Sequence, residues 1–495
     1  MSLASLLTLL VTLLGLFSAA SSRSEASTLP PLPPNPPTSV RRHHPSMRPA
    51  LLASRRERVP PRVEKAPPAA EEAKPAFTRP SFKWALLHNW MYFLALGLAI
   101  PVLPRVISAI VNADGSSDVS PASSIVSGDV EALDKLLTFL FVGFLGSLSD
   151  VYGRKPLMAY SALGFAITCW LQGCASRRLS LLYVADLVDG MSSCMNNVCQ
   201  AYVTDASPPD RRAANLGIFQ ACAPLGLSVA GAFILGFPLS AVIQQKYGYS
   251  APLKAAALVG VLNFLIVVFF TPESLPAAHR VASKVDLATA NPLGTLSLLF
   301  RRTPLLRAAT TAFFLIWFGN ACINSIFGNY VNHLFKWGPA ESAPLLVLVG
   351  LMIAIAPPLL GPRLGLKLSI QVGAVVYGLG LLATAFASSP PSLVYSVLFT
   401  SVGCICIPAL VAFIANQAQP NERGALLGGL ETLQELCLAL AHSTYGRVFG
   451  YFISDKAPIR LPGAPFILAA VALFAGFGTM TATFSSLPDQ ASKFL

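Results

Sequence analysis

The chain has 495 residues, of which 54% are hydrophobic and only 12% are charged. Soluble globular proteins carry about 25% charged residues, so this composition excludes a disordered chain and argues against a large soluble enzyme. Residues 1–80 hold 11 Lys and Arg against 5 Asp and Glu, and therefore carry half of the net charge of +12. The composition favours a polytopic membrane protein, whose apolar body offers no basic face for nucleic acid.

The N-terminal region has the pattern of a two-part targeting sequence. Residues 1–20 are an apolar run that ends in small residues, which is typical of a signal peptide; an uncleaved anchor or thirteenth span is the alternative. Residues 21–80 form a Pro- and Arg-rich leader that we expect to be disordered and that has the composition of a transit peptide. Together they favour a plastid-type organellar membrane, with the secretory pathway or plasma membrane as alternatives.

Twelve apolar segments follow the leader, each long enough to cross a bilayer. The longest polar connection after residue 132 covers residues 271–303 and divides the segments six and six, as in transporters built from two repeated bundles. We therefore predict an N-terminal six-helix bundle at 81–270, a central cytosolic loop at 271–303 and a C-terminal six-helix bundle at 304–495. The segments lie at about 82–105, 132–149, 156–175, 179–204, 211–236, 253–270, 304–333, 342–361, 367–388, 391–416, 423–450 and 463–487.

Basic residues in the loops indicate the orientation of the bundle. Loops that follow the even-numbered spans carry eleven Lys and Arg, against eight in the loops on the other side. Because cytoplasmic loops are enriched in Lys and Arg, this bias predicts that both ends of the bundle face the cytosol or its equivalent.

The most specific local pattern is Gly146-Ser-Leu-Ser-Asp150-Val-Tyr-Gly153-Arg154-Lys155, between spans 2 and 3. We expect the glycines at its two ends to allow close helix approach and a tight turn. Asp150 can meet a helix terminus or a basic partner, and the two basic residues add cytosolic charge.

This pattern resembles that of the major facilitator superfamily, in the branch of tetracycline-resistance and hippocampus-abundant-transcript-like transporters. Less specific support for this branch comes from Ala201–Asp205, Thr271–Pro276 and the stretch from Gly424 to Gly446. The resemblance implies an all-α membrane protein of twelve transmembrane helices in two pseudo-symmetric halves, with a central cavity and alternating access. It also implies a conformational latch between the halves, formed by Gly146, Asp150, Gly153, Arg154 and Lys155.

Polar side chains recur at helical spacing within several spans, where they should face a cavity or a partner helix. In span 4 we expect them to form one broad stripe. Interhelical hydrogen bonding is the alternative to a cavity-lining role. The candidate cavity residues are Asn89, Tyr92, Asp189, Asn196, Gln200, Trp317, Asn320 and Asn324.

Span 11 carries Glu431, Glu435 and His442 along one face. A charged residue at the bilayer centre costs about 2.5–3.5 kcal/mol on insertion scales, so two carboxylates on one face need water, protons or a cationic partner. We interpret the three as a candidate proton relay. In the alternatives, Glu431 extends to the membrane surface and His442 is a packed, hydrogen-bonded side chain.

Motifs for ATP binding, zinc-dependent proteolysis and serine hydrolysis are absent from the sequence, which predicts neither an enzyme nor a cofactor. The nine cysteines lie in or against apolar segments and predict no metal site. We therefore expect a monomeric transporter of a small organic solute, with or without protons, in the lipid bilayer. The alternative is a receptor or scaffold that has a transporter fold and moves nothing.

Overall fold

The structure is a computed structural model, and its described part is helical throughout. The predicted segment 1–20, nearly all of the leader and most of the connection 271–303 lie outside the described residues. The structure describes residues 79–485 except for 176–177, 209–210, 213–214, 217–218, 220–228, 276–291, 293–295, 297–298, 301–302 and 418–422.

The helices follow the order of the predicted spans, and eight spans of the described residues are long and apolar enough to cross a membrane. The N-terminal half contains α1 Phe82–Ala99, α2 Leu103–Val111, α3 Pro121–Tyr152, α4 Arg154–Gly173, α5 Leu179–Ser192, α6 Met195–Ala206, α7 Val229–Tyr247 and α8 Ser250–Phe269. The C-terminal half contains α9 Pro304–Phe335, α10 Pro339–Ala385, α11 Pro390–Gly403, α12 Cys406–Asn416, α13 Arg423–Phe452 and α14 Ala464–Ser485.

Three predicted spans are each divided into two helices. Span 1 breaks between α1 and α2, where Pro101 and Pro104 lack the N–H groups that would continue the helix. Span 10 breaks at Cys404, four residues before Pro408, which cannot donate to the Cys404 carbonyl. Span 4 breaks between α5 and α6, so the single polar stripe expected along it is interrupted.

Two glycines make the sharp turns between consecutive spans. Gly153 has φ 106° and ψ 164° between α3 and α4. Gly365 has φ 71° and ψ 174° inside α10, where it separates predicted span 8 from span 9. Side chains with a Cβ rarely adopt positive φ, so glycine is the residue that permits both turns, as expected for Gly153.

The two halves pack most extensively through α3 and α13. A Cβ on Gly446 would lie 2.8 Å from the Ser124 carbonyl oxygen and 3.0 Å from the Gly128 Cα. Small residues therefore let these two helices approach closely. We call this side of the bundle, where α3 begins and α13 ends, the Arg105 end, and the opposite side the Arg154 end.

Candidate functional site

A cavity of about 570 Å³ lies between the two halves. Residues of α1 to α5 and of α7 line it on one side, and residues of α9, α10, α11 and α13 line it on the other. Its volume is within the range of sites that hold small organic molecules.

The wall from the N-terminal half is rich in carboxylates. Glu131 and Asp134 on α3 and Asp186 and Asp189 on α5 all line the cavity, and we call these four the carboxylate cluster. Lys135 lies among them, with its Nζ 2.7 Å from the Asp134 Oδ2. The electrostatic interactions of Lys135 reach further, to Glu131 on its own helix. Lys135 thus interacts with more than one carboxylate of the cluster.

Helical spacing and one glycine explain why this cluster forms. Residues three or four apart share a helix face, which places Glu131, Asp134 and Lys135 together on α3. A Cβ on Gly190 of α5 would lie 2.8 Å from the Asp134 carbonyl oxygen, so glycine allows α5 to reach α3 there. The sequence expectation included Asp189 but missed the three charged residues of α3. Their i, i+3, i+4 spacing was the signal that could have found them.

The wall from the C-terminal half is polar but uncharged along α9. Asn320, Asn324, Ser325 and Asn329 line the cavity from this helix. Asn320 accepts a 2.6 Å hydrogen bond from the hydroxyl of Tyr377. The expected cavity residues Asn320 and Asn324 thus share a wall with two side chains that the sequence did not single out.

The predicted relay residues of α13 lie at different positions relative to the cavity. His442 lines it and is 5% exposed. Glu435 interacts electrostatically with Lys135 and Asp134 across the boundary between the halves. Glu431 interacts with Glu435 on the same helix. The described cavity wall includes neither glutamate, so only His442 of the three contacts the cavity itself.

Of the remaining expected cavity residues, Tyr92 lines the cavity, where its ring packs 4.8 Å from that of Phe165. The cavity wall, within the described residues, does not include the other four. Asn89 is fully buried on α1, and Trp317 packs against the hydrophobic core of the C-terminal half. Asn196 and Gln200 lie on α6, beyond the break in span 4 that interrupts the expected stripe.

The loop pattern between spans 2 and 3 forms a network at the Arg154 end. The Arg154 guanidinium lies 2.6 Å from an Asp150 carboxylate oxygen and 2.8 Å from one of Asp205. Glu273 accepts hydrogen bonds from the backbone N–H groups of Arg154, at 2.9 Å, and Lys155, at 3.1 Å. A carboxylate at the first turn of a helix suits the positive end of its dipole. This network fixes the start of α4.

Gly146 and Arg154 are both predicted to take part in a latch between the halves. A Cβ on Gly146 would meet none of the described residues within 4 Å, and the part that this glycine takes in a latch stays a prediction. Among the described residues, the Arg154 side chain bonds to Ser149, Asp150 and Asp205, all of the N-terminal half. Its action between the halves therefore stays a prediction.

Among the described residues, the hydrogen bonds between the halves lie at the Arg105 end. The buried Arg105 donates from Nη2 to the Trp337 carbonyl at 2.6 Å. The Asn332 side chain accepts from the Val119 N–H at 3.1 Å. Four further contacts join the halves nearby: Lys336 to Asp118, Ser124 to the Gly446 carbonyl, Ser443 to Asp129, and Arg447 to Asp129. The halves are thus held together on this side of the cavity.

The sequence is similar to tetracycline resistance proteins and to Hippocampus abundant transcript-like proteins. The chain is 29% identical over 349 residues to the class C tetracycline resistance protein of Escherichia coli, covering 69% of this chain and 83% of that relative. It is 24% identical over 422 residues to the human Hippocampus abundant transcript-like protein 1, covering 81% and 80%.

Solved structures share the fold. The human organic anion transporter MFSD10 (TETRAN) has a TM-score of 0.60 at 20% identity, covering 82% of this chain and 100% of that one. The nucleoside transporter NupG has a TM-score of 0.62 at 13% identity, covering 82% and 99%. These likenesses confirm the predicted twelve-helix transporter fold in two halves.

The family itself is shown by sequence. A sequence model of the Major Facilitator Superfamily matches residues 85–442 of this chain. The resemblance drawn from the loop pattern is therefore confirmed, together with the branch that it named. The chain belongs to the Major Facilitator Superfamily, as a multi-pass membrane protein that transports a solute.

Proposed function

We propose that the protein moves a small organic solute by alternating access, with the central cavity as the binding site. The observation that carries the proposal is the pairing of two different walls: a carboxylate cluster from one half faces neutral amides and hydroxyls from the other. A solute that contacts both walls binds more tightly when the halves close around it, which is the differential affinity that alternating access needs.

The gates of this cycle are assigned to the two ends. The contacts at the Arg105 end hold the cavity closed on that side. The Arg154 network keeps the start of α4 in place. We propose that this network forms the latch between the halves when the Arg154 end closes. Opening one end while the other closes requires the halves to rock about the cavity.

We assign proton coupling to Lys135 and the acids around it. Lys135 interacts electrostatically with Asp134 and Glu131 of its own half and with Glu435 of the other half. Protonation of Glu435 would remove its attraction for Lys135, and Lys135 would then pair with Asp134 alone. Glu431 and His442 lie on the same helix as Glu435, and His442 also interacts with Lys135. A single proton would thus remove the attraction between Lys135 and the C-terminal half.

Uptake into proteoliposomes tests both parts of the proposal. A panel of sugars, nucleosides, amino acids, organic anions and organic cations is offered with and without a pH gradient. We expect at least one solute to accumulate in the gradient, and Glu435→Gln to abolish the effect of the gradient while keeping facilitated exchange. Asp455→Asn, a change at an exposed loop residue, is the matched control.

Two outcomes would contradict these assignments. If the folded protein moves none of the solutes, the result would contradict transport and would favour the receptor or scaffold alternative. Uptake whose pH dependence survives Glu435→Gln would contradict coupling through this carboxylate. The panel is broad because the similar solved structures include an organic anion transporter, a nucleoside transporter and a D-xylose-proton symporter.

The proposed location is an organellar membrane of the plastid type, reached through residues 1–80. The support is the apolar run followed by an Arg-rich leader. Residues 1–80 fused to a fluorescent reporter should enter such an organelle. A reporter found at the plasma membrane or secreted from the cell would contradict this location. We also propose that the protein works as a monomer, which the mass of the detergent-solubilised protein by light scattering would test.

A further inference from the structure

The charge of the cavity carries information about the solute. Four carboxylates line it, against two basic side chains, Lys135 and Arg105. Arg105 is already bonded to the carbonyl oxygens of Trp337 and Ser117 at the closed end. Lys135 is paired with Asp134 at 2.7 Å. The carboxylate cluster therefore exceeds its own counter-charge, and uncompensated charge in a membrane interior is costly.

Hydrogen bonding at the same site points in the same direction. Asp134 is 6% exposed and Asn329 is 3% exposed, and both line the cavity. The Oδ1 atom of each has no hydrogen-bond partner among the described residues. Both atoms are acceptors, and the Nδ1 atom of the cavity residue His442, also without a described partner, accepts in one tautomer. Buried acceptors of this kind are satisfied by a ligand that brings N–H or O–H donors.

The aromatic side chains lie where a cation would need them. Tyr92 and Phe165 form a tilted pair in the cavity wall, with ring centroids 4.8 Å apart. Tyr92 interacts electrostatically with Asp189 of the carboxylate cluster. Ammonium groups are attracted both by carboxylates and by the faces of aromatic rings, so this corner suits a positively charged group.

The opposite wall suits an uncharged polar group. Asn320, Asn324 and Ser325 on α9 offer amide and hydroxyl groups, which bind hydroxyls in either direction. On α11, the hydroxyls of Thr400 and Ser401 donate to carbonyls of their own helix and add acceptor lone pairs to this wall. A solute that fits both walls has a positive charge at one end and hydroxyl groups at the other.

We propose that the transported solute is a hydroxylated organic cation. Its ammonium or guanidinium group lies against Asp189, Glu131 and the Tyr92–Phe165 pair, and its hydroxyl groups face the amides of α9. This inference rests on the proposed transport function and narrows its substrate class.

Matched pairs of probes separate charge from shape. Glucosamine and glucose differ by an amine for a hydroxyl, and choline and 3,3-dimethylbutan-1-ol are near-isosteres that differ in charge. We measure the melting temperature of the purified full-length protein in detergent and the exchange of each radiolabelled probe in proteoliposomes. At least one cationic member should raise the melting temperature and exchange, and its neutral partner should do so at a concentration about tenfold higher or not at all.

Variants place the effect at the cavity. Asp189→Asn should weaken the response to the cation by about tenfold or more, because the lost charge leaves only neutral hydrogen bonds. Glu131→Gln provides a second test should Asp189→Asn fail to fold. Asp455→Asn, at an exposed loop residue, should respond like the unchanged protein.

The outcomes also separate this inference from the transport function. Exchange of a neutral or anionic solute in preference to every cation would overturn the inference and leave transport intact. Absence of exchange for solutes of every charge would overturn the transport function itself. An equal response of both members of each pair, or a response unchanged in both carboxylate variants, would overturn the positive charge of the solute.

Discussion

Replacement of Arg105 by alanine should open the bundle at the Arg105 end. In the closed arrangement Arg105 is 4% exposed and donates to the Trp337 carbonyl at 2.6 Å, across the boundary between the halves. Alanine removes this bond and the weaker one to the Ser117 carbonyl at 3.4 Å. The Trp337 carbonyl then loses a charged donor only in the state in which this end is closed.

The expected size of the shift follows from the bond that is lost. A hydrogen bond to a charged group contributes about 1.5–3 kcal/mol, and 1.4 kcal/mol is a factor of ten in an equilibrium. The closed state should therefore lose about tenfold or more of its population relative to the state open at this end. The nearby contacts of Asn332 and Asp129 persist, so the shift should be partial and the protein should stay folded.

Spin-label distances measure this population directly. Labels at Asp114→Cys and Asp455→Cys, on exposed loops of the two halves, report the opening in a background whose nine native cysteines are replaced. Arg105→Ala should add a longer distance to the distribution. Arg178→Ala, at an exposed arginine near the same end, is the control. An unchanged distribution in Arg105→Ala would refute the assignment of this end as a gate.

Three further variants test separate contacts. Arg154→Ala should reduce turnover several-fold with a smaller effect on solute affinity, because it leaves Asp205 without its 2.8 Å partner; normal turnover in vesicles would argue against the latch. Gly446→Leu should push α13 off Gly128 at a cost of about 1–3 kcal/mol and lengthen the same spin-label distance. His88→Ala should lower the melting temperature, since its amide and hydroxyl partners, 2.6 and 2.7 Å away, lose a buried bond worth about 1–3 kcal/mol each. A melting temperature within a degree of the unchanged protein would contradict that role.

Much of the fold could be predicted because the bilayer leaves few alternatives. A chain in hydrocarbon must satisfy its backbone within each span, so apolar length alone indicates helices and their order. The loop pattern added the family, and its glycine at 153 has the positive φ that a turn between two helices requires. The breaks in spans 1 and 10 are explained by nearby proline residues that are visible in the sequence. The break at Ser193 and Cys194 has no such marker, and we have no local explanation for it.

The candidate site was less predictable because a cavity is made by several helices at once. Asn89 and Asp189 are both polar residues inside apolar spans, yet one is fully buried outside the cavity wall and the other lines it. The rotation of each helix about its axis decides this, and packing against neighbours sets that rotation. The charged residues of α3 escaped notice for a different reason. They lie at the boundary of predicted span 2, which begins at 132, whereas the helix itself begins at Pro121.

The sequence by itself determined that this protein is a helical membrane transporter of two six-span halves, because hydrophobic length and loop chemistry are local properties. Only the tertiary structure decided which polar residues meet. Gly190 allows α5 to approach α3, which brings the carboxylate cluster together beside Lys135. Gly128 and Gly446 allow α3 to approach α13, so that Glu435 can interact with Lys135. Electrostatic interaction depends on distance in space, which residue spacing along the chain does not give.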